Sequence, residues 1–158
     1  MFRGSSQTRV DEKGRLKIPA DFKRDLGENL EFYITSQDGK RAEIYPMSVW
    51  KKKEAKLAKA FPASSRVRQR VERTTSYYGA TVEMDGQGRV LLPSPLRDDA
   101  DLMAEVVVIA RLGERNPESP EEETLGFLEV SNNEAMRLAM KADPITDEDL
   151  DALAAAGL

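Results

Sequence analysis

Cysteine and histidine are both absent from this chain of 158 residues. Without cysteine there is no disulfide staple and no thiol nucleophile, and without histidine the usual proton shuttle is missing as well. Zinc sites built from these two residues are excluded with them. Carboxylates, lysines and hydroxyls are all that remain for catalysis, so the chain reads as a binding protein and not as an enzyme, with no metal and no cofactor expected. Long apolar runs are lacking too. No stretch approaches the roughly eighteen residues of a membrane span, and the opening MFRGSSQTRV has no apolar core of an export signal. A cytoplasmic protein without a membrane partner is the expectation.

What the chain has is charge, unevenly spread. Its net charge of −4 argues against a polyanion as partner, but the segments differ. Residues 1–39 hold 7 basic and 7 acidic side chains, 40–75 hold 11 and 3, 76–113 hold 3 and 6, and 114–158 hold 3 and 12. The second segment is therefore at +8 and the last at −9. Such a separation can give one face a positive field while the molecule stays mildly acidic.

A repeat is the strongest signal. VDEKGRLKIP at residues 10–19 returns 74 positions later as MDGQGRVLLP at 84–93. In that register Asp11 falls on Asp85, Gly14 on Gly88, Arg15 on Arg89, Ile18 on Leu92, Pro19 on Pro93, Phe22 on Leu96, Phe32 on Val106 and Ile34 on Val108. Internal self-similarity of this kind marks two copies of one supersecondary unit. Beyond it, AEIYPMSVW pairs with LGFLEVSNN at a larger offset, which places an acidic, proline-bearing insert, ERNPESPEEE at 114–123, in a solvated loop.

Each copy spells strand, glycine turn, strand, short helix and hairpin. A proline is placed to open the helix ADFKRDL in its first turn, Phe22 and Leu26 at i, i+4 face inward, and Gly27 ends it. NLEFYIT and RAEIYP then form strands joined around Asp38-Gly39, and AEVVVIA and LGFLEV repeat them. Ser48 and Ser131 are candidate caps of the helices that follow. SSRVRQRVERTTSYYG predicts a linking helix with Val67, Val71 and Tyr78 inward and Arg66, Arg70 and Arg73 outward, and Thr146 opens a short acidic helix. The organisation expected is a first unit over 1–61, a linking helix over 62–80, a second unit over 81–142 and an acidic tail over 143–158.

The repeated phrase has a physical reading. Glycine at 14 and 88 allows positive φ and hence a sharp bend. Asp11 and Asp85 can accept backbone amides further along the turn and hold its shape. Arg15 and Arg89 are then displayed on stiff tips, where a planar guanidinium suits a phosphate or a guanine edge. Taken once, Asp and Arg four apart are more simply a surface ion pair of little weight. Reproduced with the glycine, the flanking apolar residues and the proline, the pattern points to function.

MFRG at the start, DEKGRLKIP and DGQGRVLLP together resemble the MraZ family, whose halves each carry a DxxxR motif and belong to the AbrB-like swapped-hairpin class. The resemblance covers about residues 1–140. It implies an α+β fold of tandem duplicated swapped-hairpin units forming one β-barrel per chain with flanking helices. It also implies a nucleoid-associated bacterial transcriptional regulator of the division and cell-wall genes, self-associating into rings and binding direct repeats in double-stranded promoter DNA. By position, Asp11, Gly14, Asp85 and Gly88 shape the loops, and Arg15 and Arg89 contact DNA. Lys13 adds a phosphate contact, its counterpart Gln87 a neutral hydrogen bond, and Arg3 and Lys17 are further candidates. Glu12 stands out as a carboxylate beside the first loop.

A unit whose strands leave open edges cannot close alone, so two copies in one chain replace a dimer. The lysines of WKKKEAKLAK are read as a solvated face whose stems cover apolar surface. Two rival functions are weighed. An AbrB-class antitoxin usually has one unit per chain and a disordered tail. A phosphate-chemistry enzyme would need the P-loop spacing and its Lys-Ser/Thr ending, which DEKGR and DGQGR lack.

Overall fold

The computed structural model describes residues 3–113, 118 and 126–158. Its elements run β1 (Ser5–Arg9), β2 (Arg15–Lys17), α1 (Ala20–Leu26), β3 (Glu31–Thr35), β4 (Ala42–Pro46), α2 (Met47–Ala60), α3 (Arg66–Tyr77), β5 (Ala80–Glu83), β6 (Arg89–Leu91), α4 (Ser94–Asp99), β7 (Glu105–Arg111), β8 (Phe127–Asn132), α5 (Asn133–Ala142) and α6 (Asp147–Ala155). The class is α+β. Strands and helices fall in the same order in both copies of the repeat. The acidic insert at 114–123 lies outside the described residues apart from Glu118.

Six strands form one antiparallel sheet in the order β1-β7-β8-β4-β3-β5, and β2 and β6 form a separate two-stranded ribbon. The first strand of each copy pairs with the third strand of the other, β1 with β7 and β5 with β3. The ribbon also crosses between copies, with Leu16 opposite Val90. A closed barrel was expected, and the pairing corrects it. Among the described residues no ladder joins β1 to β5, because the three-residue strands β2 and β6 leave the main sheet and bond to each other. The open edge β1 alternates exposed and half-buried, with Ser5, Gln7 and Arg9 outward, a polar finish that discourages further strand pairing.

One core serves both copies. Leu16, Ile18, Phe22, Phe32 and Ile34 of the first and Val90, Leu92, Leu96, Val106 and Val108 of the second are all buried in a single cluster. Side chains of this size each stabilise the fold by roughly 1.5–3 kcal/mol when fully buried. Since the matched positions meet at one centre, neither copy has a core of its own.

Local chemistry sets the element ends, with some differences from expectation. Pro19 and Pro93 occupy the N-cap positions of α1 and α4, with φ near −57°, and are not the first helical residues. Ser48 lies inside α2, which begins after Pro46 without a side-chain cap. Ser131 is buried in β8, and Asn132 caps α5 by accepting the Ala135 amide. In both cases the strand runs directly into the helix, so the cap falls at its last residue. On α3, Ser65 caps the start, but Val67 is 50% exposed and the inward face carries Thr75 instead. The Thr75 carbonyl accepts both the Tyr33 hydroxyl at 2.8 Å and the Thr35 hydroxyl at 2.7 Å, fixing α3 to β3. Thr146 and Asp149 form a full capping box on α6, as its sequence suggested. Trp50 of α2 stacks on Tyr33 at 4.5 Å between ring centres, seating α2 on β3 and β4.

Candidate nucleic-acid interface

The two glycine turns have one geometry. In the first, the Asp11 amide donates to the Arg15 carbonyl and the Gly14 amide to the Asp11 carbonyl, both at 3.0 Å. Asp11 Oδ1 accepts the amides of Lys13 at 3.0 Å and Arg15 at 2.9 Å, and Oδ2 accepts Arg15 Nε at 2.8 Å. In the second, Asp85 Oδ1 accepts the amides of Gln87 and Arg89 at 2.9 Å, and Oδ2 accepts Arg89 Nε at 3.0 Å. Gly14 and Gly88 have φ of +83° and +76°, which closes each turn where another residue would be strained. The aspartate thus braces its own backbone and aims its own arginine. Both carboxyls are held below their ordinary value of 3.8, chiefly by the Arg15 amide at Asp11 and the Arg89 amide at Asp85.

The turns also meet each other. Gly14 and Gly88 each lend a carbonyl to the ribbon: Leu92 donates its amide to Gly14 and Ile18 donates to Gly88, both at 2.9 Å. Arg89 Nη1 lies 3.6 Å from Asp11 Oδ2, a bridge from the second turn to the first. The arginine side chains are 31% and 25% exposed at 15 and 89, so neither is sunk in the core. Nε of Arg15 is taken by Asp11, which leaves its two η nitrogens with no protein acceptor among the described residues. Two guanidinium groups are therefore held side by side, with donors to spare for a planar or tetrahedral oxygen acceptor.

Lys13 and Gln87 sit on the exposed shoulders of the two turns. Lys17 lies in β2 directly across from Arg89, exposed, which places a third cation beside the pair. Arg3 is not brought there. It precedes β1, whose five residues run away from the first turn and span about 17 Å. Among the helix lysines, Lys53 donates to the Tyr45 hydroxyl at 3.0 Å and serves the packing of α2, while Lys51 and Lys52 are exposed.

Two residues at the turns escaped the sequence reading. Arg97 of α4 packs on Gly14 and Lys23 of α1 stands at Gly88, each reaching the turn of the opposite copy. They are 74 positions apart, so the repeat register matches them as two basic residues, a signal hidden because they are not identical.

Fold and site together define a class: an α+β chain in which two copies of one unit exchange strands around a shared core and bring two aspartate-braced arginine turns into contact. A family described as "MraZ protein, putative antitoxin-like" matches residues 1–73 and 78–113, and this chain belongs to it. Curated relatives agree. The chain is 48% identical over 160 residues to the protein named Transcriptional regulator MraZ of Acidobacterium capsulatum, and 43% identical over 161 residues to that of Koribacter versatilis. In both comparisons the whole of each chain is covered. The protein of the same name from Nitrosomonas eutropha is 39% identical over 117 residues, spanning 73% of this chain and 78% of its own.

Proposed function

We propose that this member of the MraZ family is a transcriptional regulator, not an enzyme, and that it binds double-stranded promoter DNA through Arg15 and Arg89. Asp11, Asp85, Gly14 and Gly88 hold the two tips in shape, and Lys13, Lys17 and Gln87 add contacts around them. The single observation that supports this most is the meeting of the turns, with Arg89 reaching Asp11 of the other turn at 3.6 Å. Two preformed guanidinium groups side by side suit adjacent acceptors on one duplex. The exchanged strands read as an AbrB-like swapped-hairpin pair, units 1–61 and 81–142 joined through 62–80, with 143–158 as a tail.

One subunit offers few contacts, so tight binding needs several. Self-association into a ring would present its turns at high effective concentration to direct repeats of matching spacing. In the cell this places the protein in the cytoplasm on the nucleoid, repressing the division and cell-wall genes. An antitoxin role instead predicts a co-purifying toxin.

The test is a titration against a duplex from upstream of the protein's own gene and a scrambled duplex, at two salt concentrations. Arg15→Ala and Arg89→Ala are each expected to lose about 1–3 kcal/mol of discrimination between the duplexes. Lys51→Ala and Lys52→Ala are expected to bind like the wild type. An equal loss from the lysine variants, or none from the arginine variants, would remove the turns from the interface. A wild type that binds a single repeat as tightly as several would remove the ring.

A further inference from the structure

We propose that Arg97 and Lys23 form a second pair of DNA contacts, binding phosphate and not bases, with each turn backed by a cation from the opposite copy of the repeat. The inference rests on the DNA-binding reading above and adds residues outside the Asp-to-Arg turns.

Arg97 is the sharper observation. Its guanidinium lies against the first turn so closely that a side-chain carbon at Gly14 would come within 2.6 Å of its Cζ and 2.7 Å of its Nε. Gly14 is thus glycine for two reasons, positive φ and room for a neighbour's guanidinium. Yet Arg97 has no anionic partner among the described residues. Its Nε is buried without a hydrogen bond, and Nη1 has only the Met103 thioether at 3.9 Å, a weak acceptor. Arg9, Arg66, Arg70 and Arg73 also have no ion pair among the described residues, but they are exposed, whereas Arg97 is half-buried with its Nε shut off from solvent. The residue as a whole is only half-buried, so its guanidinium can meet a ligand at the surface while its buried Nε lacks an acceptor within the described fold.

Lys23 repeats the placement more loosely. Its Nζ would stand 3.4 Å from a side-chain carbon at Gly88. The lysine is exposed and has no ion pair among the described residues. Two carboxylates of these helices have other partners: Asp21 holds Arg24 at 2.7 Å, and Asp99 accepts the Tyr78 hydroxyl at 2.7 Å. Six cations, Lys13, Arg15, Lys17, Lys23, Arg89 and Arg97, belong to the turns, the ribbon and the two helices, together with Asp11, Glu12 and Asp85 of the turns and Asp21, Asp25, Asp98 and Asp99 of the helices. Arg97 and Lys23 sit on α4 and α1, each beside the glycine of a turn and outside the Asp-to-Arg phrase itself. A tetrahedral, singly charged oxygen cluster on the DNA backbone fits both an orphaned guanidinium and a mobile ammonium.

The test uses the full-length protein with the same upstream and scrambled duplexes, over a salt series. Each of Arg97→Ala and Lys23→Ala should lower the slope of log affinity against log salt by about 0.9, the signature of one lost phosphate contact. That slope corresponds to weakening by about fivefold at 150 mM salt and about fifteenfold at 50 mM. The loss should be equal on both duplexes, unlike that of Arg15→Ala. Arg97→Lys should keep the wild-type slope, since the charge is retained. Urea midpoints of the same variants separate binding from folding, and the exposed Lys23 provides an arm in which folding is undisturbed. Unchanged slopes in Arg97→Ala and Lys23→Ala would overturn the proposal while leaving the turns as the interface. Loss confined to the upstream duplex would also overturn it, by making these residues base readers. A wild type that binds neither duplex would overturn this proposal and the DNA-binding reading together.

Discussion

Alanine at Gly14 and at Gly88, one at a time, separates two demands on the arginine turns. Both glycines have positive φ, +83° and +76°. An L side chain there costs roughly 1–2 kcal/mol, and the stiffer unfolded chain returns roughly 0.4–1 kcal/mol. On backbone grounds each substitution is expected to destabilise by about 1 kcal/mol. The surroundings then diverge. The new carbon at 88 meets Lys23 Nζ at 3.4 Å, and that ammonium can swing into solvent. At 14 it collides with Arg97, whose Nε is buried and whose guanidinium must shift or push the turn. Residues in such contact couple by roughly 0.5–3 kcal/mol. Gly14→Ala should therefore cost about 2 kcal/mol and Gly88→Ala about 1 kcal/mol. Urea unfolding followed by the single tryptophan, Trp50, at one protein concentration gives both values, provided the m-values agree. A double-mutant cycle isolates the cause. Arg97→Ala should relieve the excess at 14, with a coupling of about 0.5 kcal/mol or more, and Lys23→Ala should relieve nothing at 88. Additivity within about 0.3 kcal/mol between Gly14→Ala and Arg97→Ala, or equal costs at the two glycines, would refute the packing of Arg97 on the turn.

Leu16→Ala should cost about 2–5 kcal/mol, because Leu16 is fully buried opposite Val90 in the ribbon that ties the turns together; a loss below about 1 kcal/mol in thermal unfolding would show that the ribbon is not part of the core. Acid should loosen the turns. The folded pKa values of Asp11 and Asp85 lie below the unfolded value, so their stabilisation is complete above 3.8 and is lost as pH falls through the lower folded values. Paired Asp11→Asn and Asp85→Asn substitutions keep an acceptor for the amides but have no charge to titrate. They should flatten the fall in urea midpoint between roughly pH 5 and pH 2, and an unaltered fall would mean that these carboxylates do not brace the turns.

Element order and the inward faces of the repeated units were legible in the sequence because period and register are local properties, whereas the inward face of α3 was not. Phe22 and Leu96, or Ile18 and Leu92, are apolar at matched places in the repeat and are buried together. Partners were not legible. The alternation in Ser5–Arg9 tells which side chains face inward, but an edge of backbone donors and acceptors is the same whichever strand meets it. The pairing of β1 with β7, and the failure of the ladder to close, came only with coordinates. The turns were readable because aspartate, glycine and arginine each have one job within five residues. Arg97 and Lys23 were not legible because they reach the turns across the fold, and the extended strand that separates Arg3 from the first turn shows only once β1 is paired.

Joining the two exchanged units in one chain has a consequence for the kind of message that can be recognised. Two identical chains assembled about a twofold axis offer the same fingertip twice and are matched to a palindrome. Here the tips have drifted apart, Lys13 against Gln87 on the shoulders and Arg97 against Lys23 beside them. A duplex bound as proposed would meet unlike hands, so that one orientation on the helix would be preferred over its reverse. On the proposed DNA-binding reading, covalent fusion gives the protein a sense of direction, which is what a run of head-to-tail sites would require of its reader.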